Sequence, residues 1–277
     1  EVVNNRVVVA SMEGRAVNAS YDKTTERFTM YTGSQSAHLL KNMFAGMIFK
    51  VKPEQFHVIT PDVGGGFGMK FFTYPEQVMC LFASRAIGRP VKWTGDRSES
   101  FLTDTQGRDN VTVGELALDK NGAFLAIRSH ILADMGAYFS NFAPMIPTSA
   151  AMRVFGHVYK FQAACIKTEG VFTNSVPIDA YRGAGRPEAN YLVERLVETA
   201  AAEMGLDRVE LRRRNMVPPE AMPWTNTTGA TFDSGKFAAV LDRAMTVCDW
   251  AGFPARKQAA KKRSKLAGIG TVSYTHL

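Results

Sequence analysis

A chain of 277 residues has room for one or two domains with a real core, and 45% hydrophobic against 21% charged residues marks it as globular rather than disordered. The formal charge of +7 owes much to Arg256-Lys257 and Lys261-Lys262-Arg263-Ser264-Lys265, read as a solvated basic helix or linker. Nucleic-acid binding would require basic residues interleaved with exposed aromatics, and that pattern is missing. No apolar run reaches the ~18–20 residues of a membrane span. The chain starts at Glu1 without a signal-peptide pattern, so it is expected to be an internal piece of a longer protein. Cys80, Cys165 and Cys248 form no CxxC pair and no disulfide framework. A reducing, cytoplasmic location is expected, with a periplasmic one left open.

Strands are expected over 6–12, 16–21 and 27–32, alternating runs broken by Glu13-Gly14 and by Asp22-Lys23-Thr24. Ser34 is the expected cap of a helix whose apolar face runs through Ala37, Leu40, Met43 and Met47. A short strand at 57–60 delivers the chain into Pro61-Asp62-Val63-Gly64-Gly65-Gly66-Phe67-Gly68-Met69-Lys70. A helix over 75–87 has Pro75 near its start and Gly88 past its end. From 91 to 137 the sequence predicts strands, and Asn121-Gly122 between 111–118 and 124–131 signals a hairpin.

A loop through 143–147 and an extended segment at 162–172 lead to Ala180-Tyr181-Arg182-Gly183-Ala184-Gly185-Arg186-Pro187-Glu188-Ala189. Pro187 opens a long amphipathic helix through Tyr191, Leu192, Leu196 and Ala200 to Gly205, and 207–215 forms a second helix with a basic face. After Pro218-Pro219 come a polar loop and a helix over 236–248. The expected domains are therefore 1–217 and 218–277, and the mixture of hairpins and helices predicts an α+β (mixed α/β) fold.

The two glycine-rich stretches carry the chemistry. Glycine is costly to order and persists where the backbone needs positive φ or a close approach. The first stretch matches neither the P-loop nor the GxGxxG pattern, because Met69 stands where the last glycine would fall. Spacing alone leaves a tight turn or bulge beside a ligand loop, and Phe67 is expected to face a core or a bound ligand. In the second stretch, Arg182 and Arg186 bracket Gly-Ala-Gly ahead of a helix, which suits an anion. The plain alternative is a surface loop whose arginines pair with Glu188 or Asp179. Gln35 and His38 open the first helix, where capping and packing are the plain reading. The five histidines, His38, His57, His130, His157 and His276, show no metal-ligand spacing.

Taken together, these stretches resemble the molybdenum-binding large subunit of the xanthine dehydrogenase, aldehyde oxidase and aerobic carbon monoxide dehydrogenase family. The resemblance runs over nearly the whole chain. It rests on Arg6–Arg15, the Gln35 segment, PDVGGGFGMK, AYRGAGRPEA, ELRRRN at 210–215 and TGATFDSG at 228–235. It implies a molybdenum–molybdopterin cofactor, in the cytosine dinucleotide form, held through the pterin rather than by side-chain ligands. It implies a first cofactor-binding domain followed by the start of a second, similar one. Gln35, Gly65, Gly66, Phe67, Gly68, Arg182 and Gly183 are then the cofactor-side residues, and Phe71 and Ala184 lie on the substrate side. The implied reaction is oxidative hydroxylation of an aldehyde or N-heterocycle, with water as oxygen source. Electrons leave through a small iron–sulfur subunit to a medium FAD subunit, in a dimer of heterotrimers.

The departures are informative. Copper-containing carbon monoxide oxidisers carry cysteine where this chain has Gly183, and glycine cannot bind a soft copper ion. The loop nonetheless has the pattern of the form II relatives of that enzyme, so a carbon monoxide dehydrogenase homologue is one alternative and a non-catalytic scaffold is another. Purine oxidisers place phenylalanine at Ala184 and glutamate at Phe71, which disfavours xanthine. The family's general-base glutamate belongs to a later segment, so no catalytic residue is assigned in these 277 residues. The piece alone is expected not to turn over, and its last residues, 270–277, are read as departing from the family.

Overall fold

The computed structural model describes residues 1–274, so His276 and the other terminal residues 275–277 lie outside the described residues. Two four-stranded sheets organise the molecule. Strand β1 is Val2–Asn4, β2 Ala16–Asp22 and β3 Arg27–Thr32; helix α1, Ala37–Asn42, then leads by a π-helical turn, Met43–Phe49, to β4, Phe56–Ile59. Helix α2, Pro75–Ile87, is followed by β5, Val91–Thr94, and by α3, Arg97–Thr103. The first sheet has the order β4-β3-β2-β5, with β4 parallel to β3 and the other pairs antiparallel. Alternation drives it: Val17 and Ala19 of β2 and Phe28 and Met30 of β3 point inward onto Leu40, Phe44, Phe56 and Leu81.

The second sheet is built from β6, Asn110–Leu118, β7, Phe124–Gly136, and β8, Ala163–Phe172, in the order β1-β6-β7-β8. Asp119 accepts from Asn121 and Ala123 amides, and Gly122 takes φ +81°, so the hairpin turn forms where Asn121-Gly122 predicted it. Helix α4, Ala151–Phe155, and the long α5, Arg186–Met204, pack on this sheet with α6, Arg208–Asn215. Asp207 caps α6 by accepting from the Val209 and Glu210 amides. Asn215 then ties that helix to the hairpin, accepting from Phe124 N–H and donating to the Gly122 carbonyl, each at 2.8 Å. A short hairpin, β9 (Trp224–Thr225) with β10 (Thr231–Phe232), and helices α7, Phe237–Val247, and α8, Phe253–Lys262, follow.

Four expectations are corrected. Residues 6–12 are not a strand; Val7 makes a lone bridge to Gly107, and Ala10 takes φ +46°. Ser36, not Ser34, caps α1 through Leu39 N–H, and the helix loosens into the π turn before Met47. The stretch 143–155, read as a loop at its start, forms helical turns and α4 because it packs beneath α5. The segment 91–137, read as strands, also contains α3, whose Asp96 caps it by accepting from Glu99 N–H.

Candidate functional site: a junction of two glycine loops

Both glycine stretches leave an edge strand that runs parallel to its neighbour, β4 in the first sheet and β8 in the second, and each precedes a helix. The fold brings them together. Arg182 N–H donates to the Phe67 carbonyl at 2.8 Å. Val9, Met69 and Tyr74 form a small buried cluster against which Tyr181 packs, so one residue from each glycine stretch shares one apolar plug. Gly68, at φ +106°, lies so close to the Ala180 carbonyl that a methyl group there would collide with it. Gly185, at φ +84°, approaches the Ile146 carbonyl in the same way. Glycine is required at both places by backbone approach as well as by φ.

Gln35 joins the first loop. Its Oε1 accepts from Gly68 N–H at 2.7 Å, its own N–H donates to the Lys70 carbonyl at 3.0 Å, and a Cβ on Gly66 would collide with its side chain. It is therefore neither cap nor packing filler, and its Nε2 amide has no acceptor among the described residues. His38 is exposed and takes no part. Phe67 sits at φ +51° and is 42% exposed, so it does not face a core. Its large apolar side chain is held open on backbone in the left-handed region, which non-glycine residues rarely adopt. Among the described residues, the N–H groups of Gly65, Gly66 and Phe67 have no acceptor.

The second loop keeps its cation unpaired. Arg182 makes no side-chain hydrogen bond or ion pair among the described residues; its guanidinium stands 6.0 Å from the Phe67 ring centroid. The surface-pair alternative fails: neither Arg182 nor Arg186 bonds Glu188 or Asp179. Arg186 turns back on the Gly183 carbonyl at 3.3 Å, and its buried Nε has no partner among the described residues. The loop is held instead by Arg108, which donates to the Tyr181 and Arg182 carbonyls, each at 2.8 Å, and reaches Glu188 at 3.4 Å. Burial pushes the Glu188 carboxyl up, and Arg108 only partly offsets it. Asp179 is likewise raised by burial although it accepts from Phe142 and Ala180 amides.

Two cavities open beside the junction. One, of about 820 Å³, is lined by Arg182, Gly183, Arg186, further residues of α5 and α6, and Gly270, Thr271, Val272 and Tyr274. The other, of about 240 Å³, is lined by Phe71, Phe72, Phe142, Met145, Ala180 and Arg186, among others. Phe71 thus lies at a pocket between the loops, but Ala184, at φ +45°, is not among its walls. Phe67 lines neither cavity; it meets the second loop through its carbonyl and ring. Sequence reasoning passed over Glu13, Lys70 and Arg108. Lys70 ends the first glycine stretch and Glu13 interrupts an apolar run, which were the available signals; Arg108 carried none.

The family model described as "Molybdopterin cofactor-binding domain" matches residues 1–216. The chain is 33% identical over 268 residues to the nicotine 6-hydroxylase large subunit of Paenarthrobacter nicotinovorans, covering 96% of this chain and 32% of that protein. It is 32% identical over 277 residues to the carbon monoxide dehydrogenase large chain of Hydrogenophaga pseudoflava, covering 98% and 34%. The crystal structure of quinoline 2-oxidoreductase from Pseudomonas putida 86 superposes with a TM-score of 0.88 at 34% identity, covering 94% of this chain and 33% of that one. The chain spans about a third of the length of the curated relatives it matches. With its two glycine loops joined at one junction and its first 216 residues matched as a cofactor-binding domain, the chain belongs to the molybdenum-binding large subunits of the xanthine dehydrogenase, aldehyde oxidase and carbon monoxide dehydrogenase family.

Proposed function

We propose that the loop junction holds a molybdopterin cofactor in the catalytic subunit of a molybdenum hydroxylase acting on an aldehyde or N-heterocycle. The observation that carries this is the set of unpaired donors gathered at one place: three successive amides at 65–67, the Gln35 amide and the Arg182 guanidinium. Donors without acceptors on a glycine cradle fit a large, oxygen-rich anionic group. When bound, the cofactor would supply two-electron oxidation of a carbon centre with water as the oxygen source. Gly65, Gly66 and Phe67 would donate main-chain N–H groups to it, Gln35 would donate its amide, and Arg182 would balance its charge. Phe67 would shield that face from water, and Phe71, backed by the buried Phe72, would offer apolar surface to a planar substrate.

The same reading covers the cytosine dinucleotide form of the cofactor, iron–sulfur and FAD partner subunits, and a second cofactor-binding domain that begins near Pro218. Gly183 brings no thiolate to the second loop, which speaks against copper-dependent carbon monoxide oxidation, and Phe71 and Ala184 speak against purines. The test is elemental analysis and pterin release on the full-length subunit purified with its partners. About one molybdenum and one pterin per chain supports the reading; a folded protein with neither is a scaffold.

A further inference from the structure

Beneath the first glycine loop lies an ion pair that the junction does not use directly. The Lys70 side chain is only 1% exposed, and its ammonium reaches Glu13 Oε2 at 2.5 Å. That same oxygen accepts from Gly64 N–H at 3.0 Å, while Glu13 N–H donates to the Gly64 carbonyl at 3.0 Å. The Lys70 carbonyl in turn receives Gln35 N–H. One carboxylate oxygen therefore holds both ends of the segment 64–70, and the backbone of its far end holds Gln35. A buried ammonium is a poor way to gain stability, since an apolar side chain of similar volume would pack as well or better without desolvating a charge. Its presence points to a positional demand: the loop ends must stay at one separation for the three amides and Gln35 to share a direction.

We propose that Glu13 and Lys70 are positioning residues, a clamp that sets the shape of loop 64–70 and thereby aims its amides, Phe67 and Gln35 at the cofactor. This rests on the functional reading above. Neither residue touches the cofactor in this scheme, and neither takes part in chemistry.

The test uses the full-length subunit in its complex, with Lys70→Met and Glu13→Gln, both close in size to the native residue. Asn215→Ala is the control: it removes the buried bonds to Phe124 and Gly122, at a residue that lines neither cavity beside the junction. Hydrogen exchange of peptides spanning 64–70 is expected to rise on the order of tenfold in the clamp variants, with peptides of α5 unchanged. Molybdenum and pterin content is expected to fall about fivefold or more, and the dithionite-reduced residual molybdenum to show an altered electron paramagnetic resonance line shape, as misplacement of a supporting shell predicts. The control keeps content and line shape. Unchanged exchange at 64–70 overturns the clamp. So does equal cofactor loss and line-shape change in the control at matched melting temperature. If the wild-type protein carries no molybdenum or pterin, the functional reading fails by itself and the exchange data alone decide the clamp. Should one clamp variant not accumulate, the other supplies the result.

Discussion

The two glycine loops meet at one place but are built by opposite means. The first is held from below by side chains: the Glu13–Lys70 pair grips its ends and Gln35 accepts from Gly68, leaving three amides unpaired. The second is held by its carbonyls, gripped by Arg108 from outside, and leaves a side chain, Arg182, without a partner among the described residues. One wall thus presents main-chain dipoles and the other an unpaired cation. An extended anionic ligand benefits from both, because dipoles fixed before binding need no reorganisation while a guanidinium adapts to charge.

The strongest way to break that arrangement is at the point of closest approach. Gly68→Ala places a methyl against the Ala180 carbonyl at a φ that disfavours side chains, and strain plus overpacking should cost about 2–5 kcal/mol in urea unfolding. A stability equal to wild type would show that the loops tolerate separation. Next, Arg108→Met removes two hydrogen bonds to carbonyls and leaves Glu188 buried without its cation, a loss of about 2–3 kcal/mol by the same measurement.

Acidification should separate the loops more gently. Lys70, hydrogen-bonded to Glu13, holds that carboxyl below the usual range, with help from Gly64 N–H and against desolvation. A depressed folded pKa contributes stability that is present above the unfolded value of about 4.3 and is lost as pH falls through the folded value. The raised Glu188 carboxyl favours its protonated form at low pH, and Arg108 holds the second loop through two carbonyls. Hydrogen exchange of 64–70 should therefore rise below about pH 4 while 180–186 stays protected; loosening of both together would contradict the comparison. The smallest effect on stability belongs to Arg182→Met, expected within about 0.5 kcal/mol of wild type because the guanidinium bonds nothing in the described chain. Its molybdenum content should nonetheless fall about tenfold, as for loss of a charge-assisted hydrogen bond to a ligand.

Local chemistry was legible wherever a residue acts on its own neighbours. Pro75 and Gly88 bound α2, Asp207 starts α6, and Asn121-Gly122 turns the β6–β7 hairpin, because caps and turns depend on a few adjacent dihedrals. The glycine loops were likewise visible as unusual backbone demands, whereas Gln35 read as capping and packing from the residues alone and stood out only through the family resemblance. Segments whose state is set by distant partners were misread. The alternation over 6–12 suggested a strand, but its pairing stops at one bridge, Val7 to Gly107, and 143–155 becomes helical where it packs beneath α5.

What the sequence by itself determined is the inventory: two glycine-rich loops, their arginines, a glutamine, and the helices and hairpins that flank them. Only the tertiary structure decided the pairing, with Phe67 meeting Arg182, Glu13 clamping Lys70 and Arg108 taking Glu188. Those partners are separated along the chain by whole strands and helices. Their distance is set by tertiary contacts such as the cluster of Val9, Met69 and Tyr74 with Tyr181, and no local propensity encodes that.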